Sequence, residues 1–199
     1  MGRNIPPLDD KAKKDYIERH LYNELRWLLE AATEWSIQNQ LKLGIPGYNM
    51  QAYAMESAFV HARALFEFFV REKTEVVSHE FLHAGLPSSS YKRWKGPLNR
   101  YLMHLRDRSS PSRLKSGEAE KDLNQMPVDF ADEALRLWQE FEKKLGASAA
   151  PGDRELQEVA RAMRRKAIEG AKHVIDSIAP RQHAYDKKRN LEPVFVFES

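Results

Sequence analysis

The chain has 199 residues, with 32 Lys and Arg against 29 Asp and Glu, a net charge of +3 and no Cys. Disulfides and thiolate metal sites are thereby excluded, and a Cys-free chain suits a reducing, cytoplasmic setting. No apolar run approaches a membrane span, the segment MGRNIPPLDD has no apolar core of a secretory signal, and a pI near 9.0 permits a nucleic-acid partner without requiring one.

A chain of this length is expected to be one domain, with a core over residues 10–179 and a basic tail over 180–199. Asp9 or Asp10 can cap a first helix, with its carboxylate at the positive end of the helix dipole. Ile17, Leu21, Leu25, Leu28, Ala32 and Trp35 then mark an apolar stripe, which predicts a helix from about residue 10 to about 42, ended by Gly44 and Pro46. The stretch Met50–Val70 follows, and the rest of the chain is organised around it. Met55, Phe59, Ala62, Phe66 and Phe69 recur at steps of four and three, with Ala58 and Leu65 widening the stripe. So aromatic a face belongs at the centre of a core.

Residues SSSYKRWKG read as a loop, and Pro97, a favourable first-turn residue, predicts the start of a third helix with Leu98, Leu102 and Leu105 inward. The polar run SSPSRLKSGEAEKDLNQM reads as a flexible connection. Pro127 predicts the opening of a fourth helix that turns Val128, Ala131, Leu135, Trp138 and Leu145 inward. A fifth helix, about 153–179, carries Leu156, Ala160, Met163, Ala167, Val174 and Ile178 and stops at Pro180. The tail is basic, with PVFVF as one short extended piece. The predicted fold class is all-α: an up-and-down antiparallel helical bundle of about five helices, in which each amphipathic rod needs a partner for its stripe.

Four groups of residues can carry chemistry. On the third helix, Arg100, His104 and Arg108 stand four apart and share one face. Arg can hold a phosphate by a bidentate fork while His moves a proton, although the same pattern serves equally as a solvated basic face. On the central helix, Glu56, His61 and Arg63 are polar positions on an otherwise apolar rod. A buried charge there is costly unless paired, so they are expected to meet partners, with the face around His104 as the candidate. An intrahelical Arg63–Glu67 pair is the plain alternative.

His79-Glu80-Phe81-Leu82-His83 is a literal H-E-x-x-H, the motif with which two His on a helix bind zinc and a Glu activates water. Gly85 and Pro87 cut a helix just after His83 and no clear third ligand follows, so no cofactor and no metal site are expected. A zinc-dependent hydrolase on His79, Glu80 and His83 is the alternative reading, and a non-catalytic interaction module is another. Arg154, Arg161, Arg165 and Lys172 form a basic stripe on the fifth helix, able to track a phosphate backbone or to serve as a solvated outer face.

The pairing of MESAFVHARALFEFF with a downstream LNRYLMHLRDR resembles a group of bacterial proteins that are themselves similar to the HEPN superfamily (higher eukaryotes and prokaryotes nucleotide-binding). The resemblance covers roughly residues 50–108. It implies a helical bundle, homodimer formation, and an RNA or nucleotide partner, with metal-independent ribonuclease activity in catalytic members of defence or toxin-antitoxin systems and binding or scaffolding in others. The family's RNase signature is an Arg followed, after four to six residues, by a His near a helix start. Here Arg100 precedes His104 by three intervening residues, and Asn99 stands where a four-residue spacing puts the Arg. The resemblance carries the signature His onto His104; together with the shared-face spacing and the polar positions of the central helix, the candidate catalytic residues are His104, Arg100 and Arg108, and the candidate binding residues are His61, Arg63, Glu56 and Asn99.

Overall fold

The computed structural model describes residues 7–41, 48–70, 77–82, 84–103, 118–147 and 151–178. These residues are almost entirely helical, and no strand occurs among them. The first rod comprises α1 (Asp10–Asp15), a π-helical turn (Tyr16–Leu21) and α2 (Tyr22–Leu41). Asp9 caps it, its carboxylate accepting the Ala12 N–H at 2.7 Å. The π turn follows from the stripe. Ile17, Leu21 and Leu25 are spaced by four and four, slightly wider than the α period, and one widened turn keeps all three at 2% exposure or less.

Next comes α3 (Tyr48–Val70), then a single 3-10 turn (Val77–Glu80), α4 (Ser89–Met103), α5 (Glu118–Gly146) and α6 (Pro151–Ile178). The expectation for α3 holds. Ala58, Phe59, Ala62, Leu65, Phe66 and Phe69 are fully enclosed. Phe66 meets Phe130 edge to face at 5.5 Å, Phe68 meets Phe141 at 5.8 Å, and Phe69 meets Trp138 at 5.9 Å. These are the favourable quadrupole geometries for aromatic rings.

The contacts also give the directions of the rods. Tyr16 lies against Phe68 and Trp27 against His61, so the first rod and α3 are antiparallel. Phe59 meets Phe130 while Phe69 meets Phe141, so α3 and α5 are parallel neighbours. Trp138 Nε1 donates to the Ala160 carbonyl at 3.0 Å, and Gln157 Nε2 donates to the Glu142 carbonyl at 3.0 Å, so α5 and α6 are antiparallel. The Lys14–Glu155 bond at 2.9 Å and the contact of Lys166 with the Tyr22 ring make α6 and the first rod parallel. At Gly170 α6 comes close to α2: a Cβ there would stand 3.0 Å from Glu30 Oε1. Among the described residues, no helix is long and apolar enough to cross a membrane.

Two expected boundaries are corrected. The third helix starts at Ser89 rather than at Pro97, so SSSYKRWKG is mostly helix and not loop. Ser88 caps this earlier start: its Oγ accepts the Tyr91 N–H at 2.9 Å. The fourth helix starts at Glu118, so Pro127 lies inside it and residues 118–126 of the expected connection are helical. Pro127 removes one N–H from the helix ladder there, but Met126, Pro127 and Val128 are all buried, and that packing outweighs the lost bond. His83, His104, Arg108 and the tail over 180–199 lie outside the described residues.

Candidate functional site

Of the candidate residues on α3, His61 is held by the first rod. Its Nδ1 donates to Glu24 Oε2 at 2.7 Å, and its ring lies 5.0 Å from that of Trp27. A carboxylate only accepts, so Glu24 fixes a proton on Nδ1 and orients the ring. Arg63 donates to Glu67 Oε1 at 2.8 Å, one turn along the same helix. That is the plain intrahelical pair. Both groups are about a quarter to a third exposed, 31% and 25%. Arg63→Ala is therefore expected to cost only about 0.5 kcal/mol in urea unfolding, the range of a helical i,i+4 pair, not the several kcal/mol of a buried pair. Glu56 is half-buried on the same helix. The backbone of Asn99 and Arg100 belongs to α4, whereas His104 and Arg108, the remainder of the expected shared site, fall outside the described residues.

The described part of the H-E-x-x-H segment, residues 79–82, does not form an α-helix. Residues 77–80 make one 3-10 turn, and the amides of Phe81 and Leu82 close it by bonding to the Ser78 carbonyl. Glu80 Oε2 accepts the Leu8 N–H at 3.2 Å. Among the described residues, no group of three or more His, Asp or Glu is placed to hold a metal ion. On α6, Arg154, Arg165 and Lys172 are exposed, while Arg161 and Lys172 bond to Glu158 and Glu169 on their own helix.

A recess lies elsewhere, between the start of α4 and the middle of α5. It is a cleft of about 410 Å³. One wall is Ser89, Ser90, Arg93 and Trp94; the other is Asp129, Asp132, Glu133 and Arg136. Arg93 lies over the Trp94 ring at 4.7 Å. Glu133 takes both Arg136 Nε at 2.7 Å and Nη2 at 2.8 Å, and it accepts the Ser88 hydroxyl as well. Arg136 Nη2 also donates to the Pro87 carbonyl at 2.8 Å. The Glu133 charge is thus neutralised, and Asp129 and Asp132 complete that wall.

The Asp132 carboxyl is raised above its ordinary value, first by partial burial and then by the charge of Asp129. The folded state therefore holds this proton more tightly than the unfolded chain. The resulting stability is fully present below the ordinary Asp value of about 3.9 and is lost as pH rises through the folded value. Asp132→Asn is expected to flatten that stretch of the stability curve, measured by thermal unfolding from about pH 3 to pH 6, and to leave the protein no less stable at neutral pH.

Sequence reading missed this cleft. One half of it is legible: Asp129, Asp132, Glu133 and Arg136 follow the i, i+3, i+4, i+7 spacing of one helical face. The other half depends on Ser88 starting α4, which the Pro97 signal masked.

Together these features define an all-α helical protein with one mixed-charge cleft and a carboxylate-oriented His among its described residues. No family model matches the sequence, and neither a curated protein nor a solved structure matches the chain. The HEPN-like resemblance therefore rests on the two motifs quoted above.

Proposed function

We propose that this protein binds RNA or a nucleotide along the outward face of α4, as the HEPN-like resemblance implies. The carrying observation is the early start of α4. It adds Lys92, Arg93 and Trp94 to the rod that carries Arg100, and Arg93 falls seven residues, two helical turns, before Arg100. His104 and Arg108 follow Arg100 at steps of four in sequence.

Lys92 and Arg93 are exposed. Arg forks suit phosphate, and an Arg plane laid on Trp is a surface on which an unpaired base can stack. The Cys-free sequence fits a cytoplasmic setting for such a protein.

Incubating total RNA with wild type and His104→Ala in EDTA separates binding from cutting. RNA is expected to be retained at low salt by both proteins, and any cleavage is expected to persist in EDTA and to vanish in the variant. Retention by neither protein would remove the reading.

A further inference from the structure

We infer that the first turns of α4 form a strap that opens from the bundle as one unit, held closed by a polar latch to α5. The strap buries few of its described side chains. Among the described side chains of Ser89 to Gly96, only Tyr91 is buried; Trp94 is half-buried, and Ser89, Lys92, Arg93 and Gly96 are exposed. Tyr91 packs on Phe66 at 5.6 Å and Trp94 stands edge-on to Phe130 at 6.4 Å. Over a similar length α3 encloses Ala58, Phe59, Ala62, Leu65 and Phe66 completely. A segment with one buried plug is drawn from the low end of local stability.

The latch supplies what the apolar contacts lack. Ser88 caps α4 through its Oγ and donates its hydroxyl hydrogen bond to Glu133, joining the helix start to α5. Arg136 clasps Glu133 with two donors and ties the Pro87 carbonyl with one of them. The Leu86 N–H, bonded to the Phe69 carbonyl at 2.8 Å, marks the hinge end at α3. Glu133 is well enclosed and Arg136 nearly half-exposed, 10% and 45% at the side chain, so the clasp is reachable by water from one side. Opening parts Ser89, Arg93 and Trp94 from Asp129, Asp132 and Glu133. The cleft then exists only in the closed form, and the Phe66–Phe130 seam becomes accessible only in the open one. This device does not depend on the RNA reading.

Native-state hydrogen exchange on the whole chain tests it. The amides of Tyr91 to Gly96 are expected to share one opening free energy, below that of the slowest α3 amides. Arg136→Ala is expected to speed their exchange about tenfold, as loss of one or two net hydrogen bonds implies, with the slow α3 amides unchanged. Glu133→Gln, which keeps the shape and removes the charge, is expected to act in the same direction. Three results would overturn the strap: exchange of these amides only together with α3, a gradient of protection rising smoothly from Ser89 as in end fraying, or no response to either variant in protein whose circular dichroism matches wild type.

Discussion

Replacing Glu142 by Ala is expected to destabilise the protein by about 3–5 kcal/mol, the range for breaking a buried ion pair by removing one partner. Glu142 on α5 and Arg164 on α6 are bonded at 2.8 Å and 3.3 Å, and their side chains are only 7% and 16% exposed. Without the carboxylate, the Arg164 guanidinium stays largely out of water with no counter-charge at that position. The penalty belongs to the orphaned cation rather than to the lost attraction. The double variant Glu142→Leu with Arg164→Leu is therefore expected to be far milder than the single change, near neutral or stabilising. Urea unfolding of the three proteins checks this. A double variant as unstable as Glu142→Ala would show that the pair contributes net stability of its own.

Trp138→Ala is the second change with a large expected effect, about 3–5 kcal/mol in urea or thermal unfolding. Trp138 is completely enclosed, meets Phe69 at 5.9 Å and Phe141 at 6.3 Å, and donates its indole N–H to the Ala160 carbonyl on α6. Truncation leaves a cavity among aromatic rings and a buried carbonyl without its donor. Against a typical total of about 5–15 kcal/mol, such a loss moves the chain a long way toward unfolding. Trp138→Phe fills most of the volume and is expected to cost clearly less. Equal losses for the Ala and Phe variants would mean that the hydrogen bond, not the packing, dominates at this position.

The rods were largely legible because their stripes are local. Phe59, Phe66 and Phe69 declare the buried face of α3 whatever packs on it, and Leu156, Ala160 and Ala167 do the same for α6. Helix starts were less legible where two signals compete. Pro97 and Pro127 both read as first-turn residues, yet Ser88 caps one helix earlier, and the burial of Met126 to Val128 carries the other through its Pro. The long-range polar contacts were not legible at all. Glu24 with His61, Glu142 with Arg164 and Ser88 with Glu133 depend on which rods become neighbours and in which direction, and no spacing along the chain encodes that. Arg63 shows the converse: four residues sufficed to name Glu67 as its partner.

Fluorescence anisotropy of a single-stranded RNA, titrated with wild type and with Arg93→Ala/Arg100→Ala at several salt concentrations, tests the proposed RNA-binding face most directly. Wild type is expected to bind with affinity that falls linearly in log salt, and the double variant to bind at least about tenfold more weakly with a slope shallower by about one to two, since each lost phosphate contact removes about 0.7 of slope on a single strand. Equal affinity and equal slope for the two proteins would contradict an RNA-binding face on α4.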